Sequence, residues 1–359
     1  MVVGEQMTTD DAGLMGFGDT SLIPLRPFPF ISEDMTLSDP LLWTLPYWPS
    51  EPAGSGTRIP ASELTLIEDE ENPLKDKLSR IRDRWINPSF KPPSRILQVH
   101  GASAAFLTHV LKCYPKMMAR DGSVPPMIHR LQLTSRTAFV PLVNCLAWTK
   151  IWEHRTGSDE AVLLNAMQGE LEKLYQEHHL YGQADLLAAL QASLIYSIII
   201  YLESNMTVKY AAQVLLGQLQ EMAYHLLITV TIPKARPSGA VLDQESWVIT
   251  SAAHRTVLAV YIFEYVICLL NSLPVYSCNE LDSIPAPVCG RLWEAQGYGT
   301  WRDEYGNWAK MWKGREVVMA ELLDRQVESY AYNRVEKWLS EADEFGMLIF
   351  TGSLISAKG

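Results

Sequence analysis

From residue 95 onward, apolar side chains recur at steps of three and four residues almost without a break, the spacing of helices buried on one face. The pattern predicts a helix over Ile96–Cys113, ending before Pro115, and another over Thr134–His154 with Pro141 in its first turns. Ser158 opens the next, where Leu163, Leu164, Met167, Leu171 and Leu174 form an apolar face opposite Glu172 and Gln176. Gly182 separates it from a helix over Ala184–Leu202, and Thr207 caps one that reaches about Thr229. Pro233, Pro237 and Gly239 then mark a loop.

The pattern changes at Thr256–Leu270, TVLAVYIFEYVICLL, whose single charge is Glu264. An all-round apolar helix is one surrounded by other helices, so the stretch from Ser246 to Trp312 is expected to organise the fold. Asn271, Ser272 and Pro274 stop this helix. Beyond Pro285-Ala286-Pro287, Thr300 and Asp303 have capping-box spacing. They would start a helix carrying Trp301, Tyr305, Trp308 and Trp312 on one stripe, with Lys310 and Lys313 at its C-terminal end and Gly314 as a left-handed cap. Arg315–Phe345 reads as a last long helix, with Met319, Leu322, Leu323, Val327, Tyr330 and Trp338 inward. Only Leu226–Ile232 and the tail after Met347 have strand character. Nine or ten helices without a strand–helix rhythm predict an all-α, irregular multi-helix domain over residues 95–350, with a tail at 351–359.

Charge separates the beginning of the chain from this body. Residues 1–72 hold 13 Asp or Glu against Arg26 and Arg58, whereas the remainder has 28 acids and 28 bases. Eight prolines interrupt this acidic arm, and Phe28, Phe30, Leu41, Leu42, Trp43, Leu45 and Trp48 are its small apolar clusters. Such a composition predicts disorder, and it fits both an activation segment and a plain flexible tail. Residues 73–94 form a basic linker. Over Pro73–Ile86, Leu74, Leu78, Ile81 and Trp85 share one helical face, while Lys75, Lys77, Arg80, Arg82 and Arg84 fit a nuclear import signal, a phosphate contact or a solvated face. A neutral body with an acidic arm offers no broad cationic surface for nucleic acid. The uncharged run Leu186–Leu202 includes Gln191, Ser193 and Ser197 and reads as a core helix rather than a membrane span. Five unpaired-looking cysteines predict reduced thiols.

The chemistry that a sequence can advertise is sparse here. His109 and Cys113 share a helix face but lack the second ligand pair that zinc requires, and the adjacent His178 and His179 diverge by about 100° on a helix. No G-x-S-x-G elbow and no phosphate-binding glycine loop occurs. The acidic runs at Asp10-Asp11 and Glu68-Asp69-Glu70-Glu71 lie in the proline-rich arm, away from any helix that could hold magnesium as a terpene cyclase does. The expectation is therefore no catalytic residue, no cofactor and no metal. Glu264 needs a buried partner, for which Arg255 and His254 are the candidates, or else it is a ligand-sensing acid in a cavity.

A series of short stretches carries a resemblance: Arg95-Ile96-Leu97, Tyr114–Met118, Val124–His129, Leu142–Cys145, Ala253-His254-Arg255-Thr256, Pro285-Ala286-Pro287, Leu292–Ala295, then Trp301, Tyr305 and Trp308, and finally Ala342–Met347. In this order they resemble the regulatory region of fungal zinc binuclear-cluster (Zn2Cys6) transcription factors, in particular regulators of secondary-metabolite gene clusters. The family reads DNA through six cysteines holding two zinc ions, yet the first 112 residues here contain no cysteine. What the resemblance implies is a nuclear transcriptional regulator without its own zinc module. It would act through coactivators or a DNA-binding partner protein, as a homo- or heterodimer if it dimerises. The competing readings are an all-α, cyclase-like biosynthetic enzyme and a remnant of a longer factor.

Overall fold

The computed structural model describes residues 101–134, 139–204, 209–231, 243–271, 281–313, 315–323 and 330–356, all within the unit Glu68–Gly359. The acidic arm, the basic linker helix, Arg95-Ile96-Leu97, the Thr207 cap, the loop of Pro233, Pro237 and Gly239, Pro274 and Gly314 lie outside the described residues.

The described chain is all-α, with 12 helices of which 9 have seven or more residues. They are α1 Gly101–Ala119, α2 Leu131–Thr134, α3 Val140–Glu153, α4 Glu160–Glu177, α5 Gln183–Ile198, α6 Lys209–Thr231, α7 Gln244–Leu270, α8 Gly290–Trp293, α9 Tyr298–Trp312, α10 Met319–Leu323, α11 Tyr330–Leu339 and α12 Glu344–Ser356. A single turn of π-helix, Ile199–Glu203, extends α5, closed by Ser204 N–H donating to the Ile199 carbonyl at 3.1 Å.

Two helices occupy the centre. Every residue of α5 from Leu186 to Ile198 is buried, because α1, α3, α4, α6 and α7 surround it. The second is α7, which packs on α1, α5, α6, α9 and α12. It begins at Gln244, well ahead of the apolar run, because the Asp243 carboxylate caps it by accepting from Ser246 N–H at 2.8 Å. Asn271 ends it, as its position predicts. The segments Gln183–Glu203 and Gln244–Leu270 are long and apolar enough to cross a bilayer, but 89% and 72% of their most apolar windows are buried against other helices.

Several boundaries differ from the sequence pattern, each for a physical reason. α1 runs through Pro115 to Ala119, because Leu107, Leu111, Tyr114 and Met118 continue one buried face across it. That packing outweighs the ~3 kcal/mol that a helix-interior proline costs. α3 starts at Val140 rather than Thr134, with Pro141 in the first turn, where no amide is needed. Leu226–Thr231 is helical despite its β-branched residues, since Leu219, Met222 and Leu226 are buried at helical spacing. The tail is also helical, as α12, and buries Phe345, Leu348 and Ile349.

The single long helix expected over Arg315–Phe345 is broken. Lys313 takes the left-handed conformation (φ 51°) at the end of α9, and residues 317–319 run against residues 284–286. Ala286 N–H donates to the Val317 carbonyl at 2.8 Å, and Met319 N–H donates to the Ile284 carbonyl at 2.9 Å. The capping box of Thr300 and Asp303 does not form, because α9 begins at Tyr298 with Gly297 at its N-cap. The aromatic stripe also divides. Trp301 is buried against Trp247 of α7, ring centroids 5.9 Å apart, whereas Trp312 lies beneath Arg334 and Lys337 of α11.

Candidate functional site

Arg255, directly before the apolar run, is the one Arg or Lys of α7, and its burial forces the surrounding chain to supply acceptors. Its Nη1 donates to the Pro126 carbonyl at 3.2 Å, and its Nη2 donates to the Val288 carbonyl at 3.1 Å and to Asp343 Oδ2 at 2.6 Å. The guanidinium lies over the Trp293 ring, 4.1 Å from its centroid, and 5.3 Å from that of Phe345. Its side chain is 2% exposed. Burial pulls the guanidinium below its ordinary value while Asp343 holds it up, and a group so basic stays charged. Tyr114 stands beside it, its hydroxyl raised by burial against the opposing pull of Arg255.

Asp343 has two roles. While Oδ2 meets Arg255, Oδ1 accepts from Gly346 N–H at 2.8 Å, which caps α12. One carboxylate thereby fixes the start of the last helix to the middle of the central one. Next to this pair, Trp338 of α11 donates its indole N–H to the Pro287 carbonyl at 2.8 Å.

A second buried polar cluster adjoins the first through Thr256. Gln191 of α5 donates to the Met127 carbonyl at 2.9 Å and to Thr256 Oγ1 at 3.2 Å, and it accepts from Gln132 Nε2 at 2.9 Å. Gln132 in turn accepts from His129 N–H at 2.8 Å. The His129 ring meets Trp293 and Trp247 edge-on, with centroids 4.8 and 6.2 Å away. Burial pushes its imidazole down to about 4, with Arg255 adding to the effect, so it is neutral at physiological pH.

Most of the stretches that carry the family resemblance therefore meet at one place: Tyr114, Val124–His129, Ala253–Thr256, Pro285–Pro287, Trp293 and Ala342–Met347 all supply groups around Arg255 and Thr256 or the carbonyls beside them. In the sequence Arg255 stands as a candidate partner for Glu264 and, like Asp343, as a member of one of the resembling stretches, Trp338 as an inward residue of a last helix and Gln191 as a polar residue of a core helix; the contacts among them, and Gln132, are not marked there. The signal was available in Arg255 and Gln191, a cation and an amide within apolar helices, both of which require partners.

Glu264 is buried as expected, but its partner is neither Arg255 nor His254. Gln220 of α6 donates to its Oε1 at 2.5 Å. Nine helical residues put Arg255 and Glu264 about 180° apart around α7 and about 13 Å along it, so one cannot reach the other. His109 and Cys113 both turn to their own helix: His109 Nδ1 lies 2.7 Å from the Ala105 carbonyl, and Cys113 Sγ donates to the His109 carbonyl at 3.3 Å. The His178 and His179 rings are perpendicular, with centroids 5.9 Å apart. Among the described residues, no group of three or more His, Cys, Asp or Glu is placed to hold a metal ion. Among the described residues the four cysteines are free thiols, and the deeply buried Cys145 is raised by desolvation.

The chain matches no protein-family model, no curated protein and no solved structure.

Proposed function

We propose that this protein is a nuclear regulator of transcription, serving a fungal biosynthetic gene cluster, whose helical body organises contacts with protein partners. The observation that supports this reading is the convergence at Arg255. Stretches scattered over more than two hundred residues resemble one family of regulatory domains, and most of those described lie around this buried cation. A resemblance spread over unrelated surface positions would carry less weight than one concentrated on the groups that define the packing. No catalytic role falls to these residues in this reading, because the charges are neutralised within the core and the carbonyls are occupied.

The 359 residues contain five cysteines, too few for the family's six-cysteine cluster, so recognition of DNA is assigned to a partner. Residues 1–72 supply the activating segment. Set among acids, Leu42, Trp43 and Trp48 are hydrophobic anchors of the kind that bind a coactivator groove. The test is a reporter assay with residues 1–72 fused to an unrelated DNA-binding domain. The intact arm is expected to activate, and a version carrying Leu42→Ala, Trp43→Ala and Trp48→Ala is expected to fall to background. Equal output from both, or none from either, removes the arm from the account.

A further inference from the structure

α1 carries a second apolar stripe beside the one it buries. Phe106, Val110, Cys113 and Met117 recur at steps of four, three and four, and with Met347 and Leu348 of α12 they wall a groove of about 570 Å³. The neighbouring stripe of Leu107, Leu111, Tyr114 and Met118 is fully used by the core, but the groove stays open at its edges. Phe106 is 52% exposed, and Met347 across from it is 45% exposed. A small ligand buries most of its surface in its pocket, which walls as open as these do not provide. They suit an amphipathic helix laid along the groove, whose anchors recur at the same spacing.

The chain holds one run that matches. In Pro73–Ile86, outside the described residues, Leu74, Leu78, Ile81 and Trp85 are apolar at steps of four, three and four. No other run outside the described residues is apolar at all four of these steps. Because the spacing reads the same in both directions, an antiparallel pairing brings every anchor into one register. Leu74 meets Met117, Leu78 meets Cys113, Ile81 meets Val110 and Trp85 meets Phe106, over about 16 Å of helix on each side. The same register sets Ile86 level with Ala105, and the fourteen residues 87–100 reach up to about 46 Å, ample for the turn back into Gly101. The run's bases flank its apolar face, where Glu344 attracts them and Lys112 and Lys116 repel them. Exposed pairs of this kind contribute little, so apolar contact decides. We propose that Pro73–Ile86 docks as a helix in the groove between α1 and α12 of its own chain, antiparallel to α1. The docking makes no use of the regulator reading and stands or falls separately from it.

Cys113, a free and exposed thiol, reports the register in the full chain. Under mild oxidation with diamide, Leu78→Cys is expected to form a disulfide with Cys113 within one chain, mapped by peptide mass spectrometry. Ser79→Cys, turned about 100° further around the helix, should crosslink about tenfold more slowly. Trypsin gives a second readout, since docking shields the bonds after Arg82 and Arg84. Phe106→Glu puts a charge where the register places Trp85, and it should speed those cuts about tenfold while leaving the helical circular dichroism unchanged. If that variant does not fold, Met347→Glu charges the opposite wall and carries the comparison. The proposal is overturned if the two cysteines crosslink equally or not at all, or if the charged groove leaves the cutting rate unchanged. A disulfide that forms only between chains overturns it as well, and gives the groove to a second copy.

Discussion

Replacing Asp343 by Asn isolates the electrostatic half of the Arg255 pair. Asparagine is almost isosteric and caps a helix as well as aspartate does, so Gly346 N–H keeps its acceptor and the start of α12 is preserved. What is lost is the negative charge 2.6 Å from a guanidinium that is 2% exposed. Removing one member of a buried ion pair costs about 3–5 kcal/mol, because the remaining charge stays desolvated. Two features place Asp343→Asn near the lower limit: the carboxylate is itself 17% exposed, and Arg255 retains two carbonyls and the Trp293 face. Asp343→Ala also deletes the cap and should cost about 1 kcal/mol more. For a body of this size each kcal/mol lowers Tm by about 2–4 °C, so Asp343→Asn should melt about 6–12 °C below wild type. The partner test is Arg255→Met combined with Asp343→Asn. With no buried cation left uncompensated, the double variant should recover part of the loss, and calorimetry on all four proteins gives the coupling directly. Thermal unfolding of Asp343→Asn within 1 °C of wild type, or strict additivity in the cycle, would refute the view that this pair holds the core together.

Other consequences are read the same way. Acid should destabilise the fold between about pH 6.5 and 4: His129 and His254 are neutral in the folded state down to about 4, whereas the unfolded chain takes up their protons near 6.5. The unfolded state binds more protons in that window, so stability falls as pH falls, with an uptake of about two protons on unfolding; a flat Tm from pH 7 to 4.5 would contradict this. Trp301→Ala should cost about 3–5 kcal/mol, since its ring is 1% exposed, and Trp308→Ala distinctly less, since that ring is only partly buried; denaturant titration ranks them. Swapping Gln220 for Leu leaves the buried Glu264 carboxylate without its amide donor and should cost about 1–3 kcal/mol, checked by the same titration. Elemental analysis should find no stoichiometric zinc.

Much of the fold is legible because periodic burial is local information. Leu163, Leu164, Met167, Leu171 and Leu174 are all buried on α4, and the Leu186–Leu202 run is the innermost helix, because a face that is apolar at 3.6-residue spacing has few alternatives. Errors arise where distant contacts decide the outcome. Nothing near Pro115 shows that Tyr114 and Met118 have a surface waiting for them, and nothing near Val317 announces the backbone of Ala286 as its partner. Polar burial is harder still. That Arg255 must be compensated follows from its neighbours in sequence, but that Asp343, 88 residues later, compensates it is a property of the tertiary fold. His254 illustrates the same limit in reverse, since only the assembled walls show that it lines a cavity with Trp247 and Tyr305.

Chromatin occupancy of the epitope-tagged full chain, mapped in cells after protein–protein and protein–DNA crosslinking, tests the regulator reading most directly. The account predicts discrete enriched loci that disappear when the protein–protein crosslinker is left out, because a partner holds the DNA. A map with no enriched locus under either condition would contradict it.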